Sequence, residues 1–358
     1  MKYLFFTILT IIASLGVLGQ PITRETNINL TSGVLEATPV PVLFPYNGGT
    51  GFFTVTTSTT ASYTLTKTDN VNLTSESVTP TGSGQTIKVE YAIPPATLPG
   101  KAAITVTVAG YASQTLPINI AGKGAMTSAA SFSPGKIAHG ALATFWGANL
   151  AQTTQATSLP LPTTLGGLSI YRQAFGTNEL TACPLLYVSL SQVNLLLPDS
   201  DNYGMFIFYS LNAAGDYYSE YVAVNALAPD VFTVNSNGNE YDHAALTIQR
   251  NDSGTAVYEA PTLRLNQNNQ WIIDPIRLTP ETYLLFYSSG ARKDISLTSC
   301  YAILDDTVNL PLTYAGPQGY YAGLDQIAVK LPTTTASGTH KIQFVVNGWR
   351  SNPVRIPI

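Results

Sequence analysis

Tyrosine is the residue type best placed to do something in this sequence. There are 20, and several cluster. Tyr217, Tyr218 and Tyr221 fall within DYYSEYVAV, Tyr320 and Tyr321 adjoin in QGYYAGL, and Trp271 and Trp349 stand apart from them. An aromatic ring with a polar tip can stack on a sugar ring or anchor a protein partner. The same residues also serve plain cross-strand packing. In a strand, Tyr217 and Tyr221 share one face and Tyr218 takes the other, so one set is core and the other is open to a ligand. Tyr217, Tyr218, Tyr221, Trp271, Tyr320 and Tyr321 are therefore the candidate ligand-binding residues.

The residue types that perform catalysis are scattered. His139, His243 and His340 show neither HExxH nor the paired spacing of a zinc site, and no GxSxG elbow is present. Glycoside hydrolysis needs two carboxylates facing a cleft. Any two of the 21 acidic residues could meet in space, but nothing in the sequence nominates a pair. DSDNYG (199–204) sets Asp199, Asp201 and Asn202 close together, as calcium ligands are. Tyr203, however, occupies a position where an EF-hand loop supplies oxygen, and no Glu closes the loop, so a solvated hairpin turn is expected. Asp305 and Asp306 read the same way. FWGANL (145–150) carries Gly147 and Asn149 at what reads as a tight turn or bulge. The expectation is a protein that is not an enzyme and uses no cofactor or metal. Cys183 and Cys300 either form a disulfide, closing a long loop worth up to ~4–5 kcal/mol in the chain-entropy model, or stay as two buried small hydrophobes.

The elements that must position these groups are strands. In TIKVEYAI, Ile87, Val89, Tyr91 and Ile93 share a face. Ala102, Ile104, Val106 and Val108 do so in KAAITVTV, and Leu116, Ile118 and Ile120 in SQTLPINI. Period-two alternation punctuated by YNGGTG, TPTGSGQ, PPATLPG and NSNGNEYD predicts antiparallel β-sandwiches and no long amphipathic helix. The 358 residues suit two or three domains. Three blocks emerge: 24–121, 125–226 and 227–358, with AGKGAMTSAASFSPG reading as a linker and NALAPDVFTVNSNGN as the next junction. SLSQVNLLLP (189–198) and GLDQIAVKLP (323–332) nearly repeat one another, which predicts two copies of one strand-rich module. Pro198 and Pro332 would end strands, because Pro cannot donate to a ladder. Gln192 and Gln326 would satisfy edge groups or, alternatively, meet a ligand.

Composition bounds the partners. Charged residues are 11% of the chain and the net charge is −4, with no basic run. Nucleic acid and acidic membrane surfaces are excluded as partners on that ground. Lys2, an apolar run over 3–12 and small residues to Gly19 form a secretory signal, residues 1–19. No later apolar stretch is long enough to span a membrane. The mature chain is expected to be secreted or held on the outer cell surface.

The segments SFSPGKIAHGALATFWGANLA, LPLPTTLGGLSI, LLYVSLSQVNLLLP, APDVFTV, YAGLDQIAVKLP and GWRSNPVRIPI resemble, in order, the signposts of a C-terminal domain. That domain belongs to a large paralogous family of secreted acidobacterial proteins, and the resemblance covers about residues 125–358. It implies export and tandem immunoglobulin-like sandwiches, and no established activity. The sequence departs from the family pattern at ETYLLFYSSGARKD, where the Gly-rich turn is weak. Residues 30–121, through FPYNGGTGFFTVTTS and LPGKAAITVTVAGYASQTLPINI, are more loosely similar to a bacterial immunoglobulin-like module of the kind found beside carbohydrate-active domains. The usual central Trp is missing there. The reading is an all-β chain of tandem immunoglobulin-like β-sandwiches, non-catalytic, for adhesion or scaffolding. Its partner would be a cell-envelope protein or an extracellular polysaccharide. A carbohydrate-binding protein is the alternative, and a hydrolase or an accessory to glycoside hydrolysis the second alternative.

Overall fold

The computed structural model describes residues 23–30, 42–94, 100–177, 179–213, 217–236, 241–251 and 254–358. The expected leader, residues 1–19, lies outside them. The described residues are strands and connecting turns, with one short 3-10 turn at Leu297–Ser299 and no α-helix. No helix among them is long and apolar enough to cross a membrane. The fold is all-β, with immunoglobulin-like sandwiches. The chain divides into two compact units, residues 1–123 with 216–219 and residues 124–215 with 220–358.

In the first unit two four-stranded sheets enclose one core. The strand Gly49–Thr57 alternates buried and half-buried positions along its whole length, and Gly84–Ile93 opposite it does so from Gln85 onward. The apolar faces expected of Ile87, Val89, Tyr91 and Ile93, of Ala102, Ile104, Val106 and Val108, and of Leu116, Ile118 and Ile120 are all buried. Phe44 meets Tyr91 edge-on at 5.9 Å between ring centres. The outward faces carry threonine. Thr105 and Thr115 sit opposite one another with their hydroxyls 2.9 Å apart. The sheets are not purely antiparallel. Thr23–Leu30 runs parallel to Gly49–Thr57, and Val42–Phe44 parallel to Gln114–Ile120. Neither pair is joined by a hairpin, so nothing forces an antiparallel direction.

The second unit holds the second and third blocks together. In the second block the strand Gln192–Leu196 lies between Leu142–Trp146 and Leu185–Val188. A second sheet is built on Leu168–Ala174 and Gly204–Leu211. In the third block a ten-stranded sheet closes over a single core. The long strand Val308–Pro317 makes this closure possible. Its first part pairs with Tyr301–Leu304 and its second with Asp325–Val329, with a register shift between Leu312 and Tyr314. A bulged strand bends, and this one passes from one layer to the other. Phe286 and Phe344 meet inside at 4.7 Å.

The repeated phrase supplies equivalent interior strands. Val193, Leu195 and Leu197 are buried in one, and Ile327, Val329 and Leu331 in the other, in the same phase. The strands end at Leu196 and Val329, ahead of Pro198 and Pro332. The expected linker is instead partly strand: Ala125–Ser128 opens the second block. Gly124, just before it, packs against the ring of Phe145, where a Cβ would stand 2.5 Å from Cζ.

The family-like signposts meet where the second and third blocks join. Asp230 of APDV is fully buried. It accepts hydrogen bonds from the hydroxyl of Ser131, from Lys136 Nζ (3.3 Å) and from the backbone N–H of Asn352 (3.0 Å). The Asn352 amide in turn bonds both backbone groups of Val231, at 2.7 and 3.0 Å, as a pairing strand would. SFSPGK, APDV and SNPV thus close on one carboxylate. A second lock uses GLDQ. Asp325 is buried, with Arg292 Nε and Nη2 at 2.8 and 2.7 Å and the N–H of Ala291 at 2.7 Å. Ser289 Oγ accepts from Leu142 N–H at 2.7 Å and donates to Gly323 C=O at 3.2 Å.

Candidate functional site

The outer face of the third-block sheet presents a concave surface with exposed aromatic residues. Its floor crosses four neighbouring strands in the order Val257–Glu259, Leu246–Arg250, Thr282–Ser289 and Asp325–Val329. Alternation turns Ile248, Leu284, Phe286 and Ile327 into the core. The same alternation turns Thr247, Gln249, Tyr287 and Gln326 outward, where they line a groove of about 440 Å³. Register puts Tyr258 directly opposite Gln249, and Tyr287 opposite Gln326. Tyr258 stands at one side, 63% exposed. Tyr320 stands at the other, 84% exposed, on the turn that precedes the Asp325 strand.

The hydrogen bonds around the groove show what is fixed and what is open. The Tyr287 and Thr247 hydroxyls are 2.7 Å apart. Gln249 donates to Asn251 at 3.1 Å. Gln318 Oε1 accepts the N–H of Tyr320 at 3.0 Å and its own N–H bonds Leu324 C=O, so the turn that raises Tyr320 is held from within. Gln326 is half-buried and its amide makes no hydrogen bond among the described residues. Gln192, its counterpart in the other phrase, donates to Asn194 at 2.8 Å. The lining contains no carboxylate, amine, imidazole or thiol. The nearby charges pair with one another: Lys330 with Glu281 at 3.8 Å, while its ammonium lies 5.3 Å from the Tyr283 ring centre, and Arg250 with Glu259 at 3.1 Å.

The other candidates are dispersed. Tyr321 is 71% exposed beside Tyr320 but does not line the groove. Trp271 is 45% exposed on a two-stranded ribbon, opposite Leu265. Tyr217, Tyr218 and Tyr221 are all half-buried on one strand, and Tyr221 packs edge-on against Phe175 at 6.3 Å, so neither face is freely open. Cys183 and Cys300 are both buried and unbridged. Cys300 belongs to the third-block core and Cys183 to the second block, so each serves as a small core residue. Burial pushes the Cys183 thiol up to about 12. In DSDNYG, Lys293 takes the place a cation would have, with its ammonium on Asp201 and on the carbonyl of Ser200 (3.0 Å). Asn149 adopts a left-handed backbone (φ 50°), as the FWGANL turn requires. Tyr258, Gln249 and Thr247 were not singled out by sequence. The run VYE is too short to show alternation, and Thr247 and Gln249 look like any outward-facing strand residues.

One further polar cluster is structural. His139 is buried, with Nε2 2.6 Å from Asn202 C=O and Nδ1 2.8 Å from Arg172 Nη1. Nδ1 also lies 3.2 Å from Pro198 C=O, and the tautomer protonated at Nε2 donates to Asn202 while accepting from Arg172. Burial is the main cause that lowers the His139 pKa, and the Arg172 and Lys293 charges act in the same direction.

The sequence matches no protein-family model and no curated protein. Solved structures align with it at low identity. Bacteroides ovatus SGBP-B, of a mixed-linkage glucan utilization locus and solved with a mixed-linkage heptasaccharide, is 9% identical over 95% of this chain and 66% of its own, with a TM-score of 0.26. The Escherichia coli adhesin FdeC is 12% identical over 89% and 87%, TM-score 0.18. The Yersinia pseudotuberculosis adhesin InvE is 14% identical over 66% and 65%, TM-score 0.16. At these scores the likeness carries no argument about what the chain does.

Proposed function

We propose that this is an exported, non-catalytic binding protein of the cell surface or its surroundings. It serves adhesion or scaffolding and meets its partner with the outer face of the third-block sheet. The observation that carries this reading is the groove flanked by Tyr258 and Tyr320, whose rings are left to solvent above a formed floor. Exposed aromatics set around a concave surface are what recognition uses, since they bring large contact area at small entropic cost. The lining supports binding, because it offers ring faces, amides and hydroxyls and no carboxylate, amine, imidazole or thiol. The leader-like residues 1–19 support export.

The test is retention of the mature chain, residues 20–358, on purified cell envelopes, beside the double variant Tyr258→Ala/Tyr320→Ala. Retention lost in the variant, with its melting temperature unchanged, is the expected result. Retention equal in both proteins would move the reading off this face.

A further inference from the structure

We infer that the groove takes an uncharged polysaccharide chain laid across the strands; this rests on the reading that the Tyr258–Tyr320 face is the binding face. Three features of the groove point to that chemistry.

The first is the kind of polar group present. Gln249, Gln318 and Gln326 carry amides, which donate and accept at once, as do the hydroxyls of Thr247 and Tyr287. A sugar hydroxyl also donates and accepts, so a floor of amides and hydroxyls matches a run of hydroxyls without fixing which partner gives the proton. A phosphate or carboxylate needs donors, and the strong ones are cationic. No cation lines the groove, and Lys330 and Arg250 beside it are engaged with Glu281 and Glu259. Gln326 adds a more pointed sign. Its amide is half-buried and has no partner among the described residues. That amide is open to the groove and available to bond a ligand hydroxyl in place of water. The equivalent Gln192 is already bonded to Asn194, so the difference is specific to this copy of the phrase.

The second feature is the rings. Tyr258 and Tyr320 are exposed on opposite sides of the floor. The C–H faces of a pyranose pack on an aromatic face, and the floor between the rings mixes Leu285 with amides and hydroxyls, as a sugar ring mixes C–H faces with hydroxyls.

The third is extent. From the Tyr258 strand to the Gln326 strand is three strand spacings, about 14 Å. That is a span for several linked rings, not one. Single sugars should therefore compete poorly and oligosaccharides well.

Affinity electrophoresis of the mature chain tests this, in gels containing soluble neutral polysaccharides (glucans, mannans, xylans) or anionic polygalacturonate. Tyr320→Ala and Gln326→Ala, checked for unchanged melting, run beside the parent, with the envelope assay in parallel. The expected result is retardation by at least one neutral polymer and none by the anionic one. Affinity should weaken about tenfold or more in Tyr320→Ala and fall measurably in Gln326→Ala, and oligosaccharides should compete better than the monosaccharide. Retardation in the anionic gel alone, or retardation indifferent to both substitutions, overturns the inference. Absence of retardation in every neutral gel also overturns it. In that case envelope retention still lost in Tyr258→Ala/Tyr320→Ala shows the face correct and the ligand class wrong, whereas unaffected envelope retention removes the binding face as well.

Discussion

At the scale of residues, His139 makes the sharpest prediction. Burial opposes charge on its ring, and the Arg172 guanidinium facing Nδ1 acts in the same direction. Its folded pKa lies below the ordinary 6.5, so between those two values the unfolded chain binds the extra proton. The stability tied to this ring is full above pH 6.5 and is lost as pH falls through the folded pKa. His139→Gln keeps an acceptor for Arg172 and a donor for Asn202 but does not titrate. Urea midpoints at pH 7.5 and pH 5 should therefore fall more steeply in the parent than in the variant; equal slopes would remove His139 as the titrating group. The two cysteines give a second residue-scale prediction. Both are buried and unbridged, so a thiol reagent at pH 8 should find neither in the native protein and both after unfolding without reductant. No thiol appearing on unfolding would mean that a bridge forms. Sequence exposed part of the binding face at this scale. Of the proposed groove, Tyr320 stood out in the sequence and Gln326 through its phrase, whereas Tyr258 became visible only once register set it opposite Gln249.

At the scale of elements, alternation carried almost everything about the strands. Ile87, Val89, Tyr91 and Ile93 point inward as their spacing requires, because a side-chain period of two leaves no other way to bury them. Spacing does not encode which strands pair, so the parallel edges of the first unit and the strand Val308–Pro317 that crosses layers were not foreseen. The small, polar residues of AGKGAMTSAASFSPG resemble a linker, yet Ser131 within it is buried and bonded to the buried Asp230 of the next junction. This assigns Asp230 a mechanical role. Asp230→Ala leaves the Ser131 hydroxyl and the N–H of Asn352 without this acceptor, while Lys136 keeps the Arg350 carbonyl, and should destabilise the second unit by about 1–3 kcal/mol, the cost of leaving a buried donor unsatisfied. Gly323→Ala should destabilise too. Its backbone is left-handed (φ 79°), and a Cβ would stand 2.6 Å from the Leu142 side chain and 2.7 Å from that of Leu196. Chemical denaturation of both variants checks the pair, and a change under about 0.5 kcal/mol in Asp230→Ala, the range of an ordinary surface substitution, would show the lock to be idle.

At the scale of the whole molecule, the two units differ in how they are held, and that difference fixes how they should unfold. The first unit's core draws only on residues between Val42 and Ile120, and the third block's core only on residues between Leu227 and Ile356. A cavity cut in one core therefore removes packing from that core alone. The second and third blocks are fastened through Asp230 with Ser131 and Lys136, through Ser289 with Leu142 and through Lys293 with Ser200, and a substitution in either should be felt by both. Calorimetry of the mature chain should thus resolve two transitions rather than three. Phe53→Ala, in the first core, should lower only one of them, and Phe286→Ala, in the third-block core, only the other, each by about 3–5 kcal/mol. Ligand linkage ties the same measurement to function. A neutral polysaccharide that seats on Tyr258, Gln326 and Tyr320 binds the folded second unit and not its unfolded chain, so it should raise the transition that Phe286→Ala lowers and leave the Phe53→Ala transition where it stands. A ligand that raised the Phe53→Ala transition instead would locate recognition in the first unit, on a surface other than the groove.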